Sequence, residues 1–379
     1  MSGDRLARVA LARVAEPGSI AVSAAIEAYG AEAVWAAVRQ GRPIGAIKSA
    51  AGMLARAEGY EPERDLAAMG SLGGRVLVPA DPEWPPGLDW PADTMTGTVA
   101  QMAAPWVLFA RGSIPVPTGL SVAVVGARSA TAYGVHVAGE IAFALAEAGA
   151  TVVSGGAYGI DAAAHRGALT AQGAPTGAVL ACGVDVPYPR GNDQLLARVA
   201  ESGLIVSEVP PGSAPTRVRF LVRNRLIAGL SRGTVVVEAA PRSGSLSTAG
   251  RAADLGRPVM AVPGPVTSVS SAGCHQLLRE SAAVLVTCAA EVLEGLGRPG
   301  EHLAPVVRGP SDPRDGLDEL VRRVLDAVPV RLPVSVARIA RTAGVSALVV
   351  QQVLPELLLS GLVQQRDGGW HLSTLGASR

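Results

Sequence analysis

Five arginines, Arg217, Arg219, Arg223, Arg225 and Arg232, stand between Val209 and Val237 with no acidic residue among them. Four fall in one run, Thr216-Arg-Val-Arg-Phe-Leu-Val-Arg-Asn-Arg225, which leads into the helix-like apolar pattern Leu226-Ile-Ala-Gly-Leu230. Cations in the first turn of a helix oppose its dipole, whose N-terminal end is already positive. The run therefore suits an external polyanion better than it suits the helix. Phosphate fits, because a planar guanidinium grips it with two parallel hydrogen bonds. Phe220 amid the arginines adds a stacking surface for an unpaired base. Arg223 and Arg225 lie about 200° apart on a helix, so a helix that includes both cannot turn both towards one strand. One of the two is then free to tie the loop to the sheet.

Three glycine-bearing loops could bind anions beside this run. The first is Gly126-Ala-Arg-Ser-Ala-Thr-Ala-Tyr-Gly134, which lacks the Gly-x-Gly-x-x-Gly dinucleotide fingerprint but offers Arg128 to a phosphate and Thr131 as a helix cap. The second, Ser154-Gly-Gly-Ala-Tyr-Gly-Ile-Asp161, lets backbone approach an anion at Gly155 and Gly156, with a helix N-terminus behind it. Asp161 and His165 stand one helical turn apart and can pair, which would fix the loop; no nucleophile lies near enough in sequence to make them catalytic. The third, Ala239-Ala-Pro-Arg-Ser-Gly-Ser-Leu-Ser-Thr248, brings Arg242, Ser243 and Gly244 to a helix start, with Ser243 or Ser245 able to serve as its N-cap.

The elements that must position these loops alternate in type. Short β-branched runs at Ser121–Val125, Thr151–Ser154, Gly177–Ala181, Leu204–Ser207, Thr234–Glu238, Pro258–Val262 and Ala283–Val286 are separated by helix-length segments. That pattern predicts an α/β fold, a parallel sheet with helices on both faces, in which ligands sit past the carboxyl ends of the strands. Before it, Asp4 to about Gly59 carries apolar residues at helical spacing, followed by a Pro- and Gly-rich connector with one strand-like run, Arg75–Val78. After it, a Pro/Gly/charged linker leads to helix, turn, helix and a hairpin over Leu362–Leu372, a winged-helix pattern. The expected boundaries are 1–70 (small helical), 71–297 (α/β), 298–314 (linker) and 315–379 (winged-helix-like).

Bulk properties narrow the function. The chain has 379 residues, a formal net charge of +1, 49% hydrophobic and only 3% aromatic residues, and Lys48 is its sole lysine. Near-neutral charge argues against coating nucleic acid by bulk electrostatics, so any such binding must come from a local patch. Cys182, Cys274 and Cys288 are far apart without metal-ligand spacing, which suggests a reducing compartment. No signal core and no apolar stretch of about 18 residues is present. The expectation is a cytoplasmic protein without metal, cofactor or membrane span.

These residues resemble the DNA processing protein A family (DprA, also called Smf). The resemblance rests on Val124-Val-Gly-Ala-Arg-Ser-Ala-Thr-Ala-Tyr-Gly134, Ser154-Gly-Gly-Ala-Tyr-Gly-Ile-Asp-Ala-Ala-Ala-His165 and Phe220-Leu-Val-Arg-Asn-Arg-Leu-Ile-Ala-Gly-Leu-Ser231. Val237-Glu-Ala, Ser243-Gly-Ser-Leu-Ser-Thr-Ala249, Val262-Pro-Gly264 and Asp81-Pro-Glu-Trp-Pro85 complete it. It covers roughly Arg75 to Leu296, and more loosely the flanking helical (SAM-like) and winged-helix-like modules. It implies an extended Rossmann-like domain that binds single-stranded DNA in a basic pocket, protects incoming strands in natural transformation and helps load RecA. It also implies a homodimer without catalytic activity. Carried over by motif, Arg128, Gly155, Gly156, Phe220, Arg223, Arg225, Ser243 and Gly244 would line the pocket. Tyr158 departs from a common arginine, Leu221-Val222 from proline and a basic residue, and Arg242 from lysine; Arg217 and Arg219 stand where they could compensate.

A rival from another class resembles the lysine decarboxylase-like phosphoribohydrolases, nucleotide-processing enzymes with a Pro-Gly-Gly-x-Gly-Thr loop and a glutamate on the next helix. Here Pro241-Arg-Ser-Gly-Ser-Leu-Ser-Thr-Ala249 lacks the glycine pair and any carboxylate, so no acid or base is placed for glycosidic cleavage. A third reading makes the winged helix the DNA reader. Against it, Ser346 to Leu354 carries no basic residue, and Arg338, Arg341 and Arg366 are a thin patch for a duplex. Contact with protein suits that module better.

Overall fold

A computed structural model describes residues 3–91, 102–172, 176–298, 300–305 and 314–377. It divides into two units, Met1–Ala304 and Pro305–Arg379. Of the expected linker 298–314, residues 299 and 306–313 lie outside the described residues.

The first unit opens with five helices, α1 (Gly3–Val14), α2 (Ile20–Tyr29), α3 (Ala31–Arg39), α4 (Ala51–Ala57) and α5 (Pro62–Ser71). A nine-stranded sheet follows: β1 (Arg75–Leu77), β2 (Leu108–Gly112), β3 (Ser121–Val125), β4 (Thr151–Ser154), β5 (Thr176–Leu180), β6 (Leu204–Ser207), β7 (Gly233–Val236), β8 (Val259–Ala261) and β9 (Val284–Leu285). Between strands run α6 (Ala132–Glu147), α7 (Ile160–Ala168), α8 (Asp193–Ser202), α9 (Arg217–Gly229), α10 (Gly244–Asp254) and α11 (Ala272–Arg279), and α12 (Ala289–Leu296) closes the unit.

The strand order is β1-β2-β6-β5-β4-β3-β7-β8-β9. From central β3 the chain steps outward through β4, β5 and β6, then returns to the far side of β3 for β7, β8 and β9. The order reverses between β3 and β7, and in an open α/β sheet that reversal opens a crevice past the carboxyl ends of the two strands. The sheet is not wholly parallel. β2 pairs antiparallel with both β1 and β6, adding an edge to a parallel centre. The sequence reading missed β2, because Leu-Phe-Ala-Arg-Gly112 is short and follows the proline-rich connector.

Alternation along the strands splits the core between the two faces. Ala123, Val125, Val153 and Val206 pack with Val222, Leu226, Ile227 and Ala249, which seats α9 and α10 on one face. On the other, Val122, Val124 and Val152 pack with Ile141, Leu145 and Ala164 of α6 and α7. Farther along this second face, Leu180 and Ile205 share a cluster with Val9, Leu11, Val34 and Phe109. The boundary expected near residue 70 therefore falls inside one continuous core, because the apolar stripes of α1 and α3 cover the β2–β6–β5 end of the sheet.

The second unit holds α13 (Glu319–Asp326), α14 (Val336–Ala343), α15 (Ala347–Leu359), a hairpin of β10 (Val363–Arg366) and β11 (Gly369–Leu372), and a last turn α16 (Thr374–Ala377). Gly344 ends α14 at φ 66°, a left-handed position that glycine takes without a Cβ penalty. Asp367 and Gly368 (φ 50° and 74°) form the two-residue turn that matches strand twist. Val324, Leu325, Ile339, Val350, Leu354, Leu357 and Val363 build its separate core. Among the described residues, no single helix is long and apolar enough to cross a membrane.

Candidate nucleic-acid interface

An open cavity of about 900 Å³ occupies the crevice where the strand order reverses. The loop after β3 supplies Gly126 to Ser129, the loop after β7 supplies Ala240, Arg242 and Ser243, and α9 and α10 form a third wall. All three sequence-predicted loops converge on this edge, although the second sends Ala157 and Asp161 to the cavity instead of its glycines.

Helix α9 distributes the arginines. It starts at Arg217 rather than after the run, capped by the Thr216 hydroxyl, which accepts from Arg219 N–H at 3.2 Å. At about 100° per residue Arg217, Arg219 and Arg225 then leave in different directions, while Arg223 falls on the same face as Arg219. Arg217 is exposed and lines the cavity. Arg219 turns away: its Nε and Nη2 meet the Glu16 carboxylate at 3.0 and 3.2 Å, and its Nη1 donates to Ala214 O. Arg225, expected on the wall of the pocket, is fully buried (0% exposed) beneath it. Its Nη2 donates to both Glu208 oxygens at 2.8 Å, and its guanidinium lies 5.8 Å from the Trp90 ring centroid. The guanidinium cannot reach a ligand in the cavity; it ties α9 to the loop after β6. The 200° separation between Arg223 and Arg225 already required such a split.

Arg223 sits between these extremes, 6% exposed but still lining the cavity floor. Its Nη1 donates to Gly155 O at 2.8 Å and to Val179 O at 2.5 Å. Burial pulls its pKa down to about 10, partly offset by the Asp161 carboxylate and reinforced by the Arg128 charge. Asp161 is displaced the other way: burial raises its pKa, against the opposing pull of Arg223 and the Ala157 N–H it accepts at 3.3 Å. Gly155 is explained by the same contact. A Cβ there would stand 2.7 Å from both Cζ and Nη2 of Arg223 and closer still to Nη1. The glycine makes room for an arginine rather than for a ligand. Gly156, at φ 68°, is buried over Leu196 and Leu180 and supplies the turn.

At the mouth, Phe220 forms a platform. The Arg128 guanidinium lies 4.9 Å from its centroid and that of Arg223 5.9 Å, while the Tyr188 ring packs against it at 5.5 Å with planes 49° apart. Opposite stands the start of α10, where Ser243 is the N-cap, accepting from Ser245 N–H at 3.4 Å, and Gly244 is exposed. Exposed Arg242 flanks it, and Asn224 Nδ2 donates to Gly244 O at 3.2 Å, holding α9 against the loop. One wall therefore offers free helix N–H groups and guanidiniums to an anion, and the other an aromatic face.

Other expectations sort cleanly. Thr131 caps α6, accepting from Gly134 N–H at 3.1 Å, and its own N–H and hydroxyl donate to the buried Glu238 carboxylate at 2.9 and 2.6 Å. The expected Asp161–His165 pair does not form. His165 Nδ1 lies 2.8 Å from the Thr176 hydroxyl, and burial lowers its pKa to about 3. Sequence reasoning missed Tyr188, Asn224 and Thr248, which also line the cavity. Tyr188 lies in a Pro-Tyr-Pro segment with no periodic signal, and Asn224 is hidden inside the arginine run. Among the described residues, no cluster of three His, Cys, Asp or Glu side chains could hold a metal ion.

Comparison with known proteins identifies the family of the chain. The profile of the family described as DNA recombination-mediator protein A matches residues 75–297. A protein named for DprA from Mycobacterium tuberculosis is 44% identical over 373 residues, 97% of this chain and 94% of its own length. Protein Smf of Escherichia coli is 38% identical over 303 residues, 78% of this chain and 76% of its own. The crystal structure of DprA from Streptococcus pneumoniae superposes with a TM-score of 0.62 at 31% identity, covering 77% of this chain and 97% of that one. A DNA processing protein A from Helicobacter pylori, described for its single-stranded DNA binding mode, superposes at 0.50 with 29% identity over 59% of this chain and 95% of its own. The chain belongs to the DNA recombination-mediator protein A family.

Proposed function

We propose that this protein binds single-stranded DNA in the crevice between β3 and β7 and acts as a recombination mediator without catalysis of its own. The observation that carries the reading is Phe220, held between the guanidinium of Arg128 and the ring of Tyr188 and facing an anion-ready helix start. A duplex buries its base faces, whereas an unpaired strand offers bases to the ring and phosphates to the arginines. Arg128, Arg217 and Arg242, with the Ser243–Gly244 start of α10, are the phosphate ligands in this reading. Arg223 forms the floor, while Arg219 and Arg225 serve the frame. Both carboxylates near the cavity are engaged in holding loops, Asp161 with Ala157 N–H and Glu238 with Thr131, which favours a binder over the phosphoribohydrolase chemistry. The same proposal, supported by resemblance to the family, extends to loading of RecA, protection of incoming strands, a homodimeric state and a cytoplasmic location. The helix, helix, hairpin order of 336–372 supports a winged-helix reading for the second unit, and its helix α15, without a basic residue, suits a protein partner.

Fluorescence anisotropy with a labelled oligonucleotide, single- and double-stranded, across a salt titration tests the reading. Preference for the single strand is expected. Replacing both Arg128 and Arg242 by alanine should flatten the log–log salt slope by about 0.7 for each phosphate that is no longer neutralised. Equal affinity for duplex, or an unchanged slope in the double variant, would sink it.

A further inference from the structure

Two exposed tyrosines border the same opening and bind no phosphate in the reading above. In a chain with only five tyrosines and three phenylalanines, they are Tyr188 (40% exposed) and Tyr158 (47% exposed). Tyr188 lines the cavity and packs on Phe220, and Tyr158 directly follows Ala157, another lining residue. The two are also linked to each other. The Tyr158 hydroxyl accepts from Gly191 N–H at 3.2 Å, three residues along the chain from Tyr188. Gly191 lies against the edge of the Tyr158 ring, where a Cβ would stand 3.0 Å from Cε1 and 2.7 Å from the hydroxyl. The Tyr158 ring is thus held by one edge with part of its surface in solvent, and a ring already fixed loses little entropy when a base stacks on it. Two residues after Tyr188 comes Arg190, exposed and without an ion-pair partner among the described residues.

We infer that Phe220, Tyr188 and Tyr158 form an aromatic track that carries consecutive unpaired bases of a DNA strand out of the cavity, with Arg190 taking a phosphate along it. The inference rests on the single-strand reading and extends its site beyond the cavity.

The test uses the full chain and oligothymidylates of about 4 and about 16 nucleotides, which span the usual range of single-strand site sizes. Tyr158→Ala should weaken the longer oligonucleotide by about 5- to 150-fold, the equivalent of one stacked base, and leave the shorter one within about twofold. Tyr158→Phe and Tyr158→Trp should bind the longer strand as the wild type does, and Arg190→Ala should lower its salt slope by about 0.7. The track is overturned if Tyr158→Phe weakens binding as much as Tyr158→Ala, because the hydroxyl would then be bracing the 188–191 loop. It is also overturned if Tyr158→Ala binds the longer strand normally or weakens both oligonucleotides equally. Arg128→Ala separates this failure from that of the underlying reading. If that variant weakens binding while Tyr158→Ala does not, only the track fails; if the wild type binds neither strand, the single-strand reading itself fails.

Discussion

Gly155→Ala is the smallest substitution that interrogates the floor of the site. The backbone there is not in the left-handed region, so alanine meets no conformational penalty. What it meets is Arg223: the new methyl carbon would lie 2.7 Å from Cζ and Nη2, against about 3.5 Å or more for an ordinary contact. The guanidinium must shift by roughly 1 Å, which strains its hydrogen bonds to Gly155 O and Val179 O. Overpacking a buried site costs about 1–3 kcal/mol, and a buried bond to a charged donor is worth about 1.5–3 kcal/mol. With partial relaxation, Gly155→Ala should destabilise the larger unit by about 2–4 kcal/mol in urea titrations. In an Arg223→Ala background the methyl has space, and the same change should be neutral or stabilising by about 0.4–1 kcal/mol through the unfolded chain. A double-mutant cycle should therefore show coupling of at least about 2 kcal/mol, with the double variant far more stable than the sum of the singles. Additivity within about 0.5 kcal/mol would refute the account of this glycine.

Further expectations concern buried groups. Arg225→Ala alone should cost about 3–5 kcal/mol by stranding Glu208, while Arg225→Met with Glu208→Leu should recover most of that. The recovered variant should keep the wild-type salt slope for single-stranded DNA; a flatter slope would put Arg225 back among the ligands. His165 is neutral in the fold, with its pKa lowered from 6.5 to about 3. The unfolded chain therefore binds a proton first as pH falls, so this contribution to stability is complete above pH 6.5 and is lost between 6.5 and about 3. By about pH 4.5 the decrease attributable to His165 should be roughly 2–3 kcal/mol. His165→Asn should show a shallower fall than the wild type in denaturation at about pH 7 and about pH 4.5, and parallel curves would contradict it. Burial pushes the Cys182 and Cys274 thiols up to about 11, while Cys288 is exposed. A chromogenic disulfide reagent at neutral pH should titrate one thiol per folded chain and three after denaturation; rapid reaction of all three in the folded chain would contradict the burial.

The sequence disclosed the parts of this molecule that periodicity and local chemistry encode. The β-branched runs located β3, β4 and β6 to the residue, and Thr131, Ser243 and Gly344 marked helix ends because capping is a local bond. β2 escaped because a five-residue antiparallel strand, paired with β1 and β6, carries no helix-length spacer to announce it. The Asp161–His165 pair failed for a different reason. Spacing places two side chains on one helical face, but Thr176 on β5, from elsewhere in the chain, took the His165 ring, while Asp161 turned back to accept from Ala157 N–H in its own loop.

The arginine run shows most directly where a linear reading stops. Charge density marked the segment, yet density does not say which way each guanidinium points. Starting α9 at Arg217 fixes that: Arg217 faces the cavity, Arg219 reaches Glu16, Arg223 reaches Gly155 and Arg225 descends to Glu208. A buried arginine is tolerated only with its charge answered, so Glu208 is the acidic residue that Arg225 requires. It lies just before Val209, immediately outside the interval that looked free of carboxylates. Two of the four cations are thus neutralised by partners remote or hidden in sequence, Glu16 and Glu208. The positive potential of the pocket then depends on Arg217 together with Arg128 and Arg242 from two other loops, and on Arg223 beneath them. Binding strength should follow those four side chains and not the conspicuous density of the run itself.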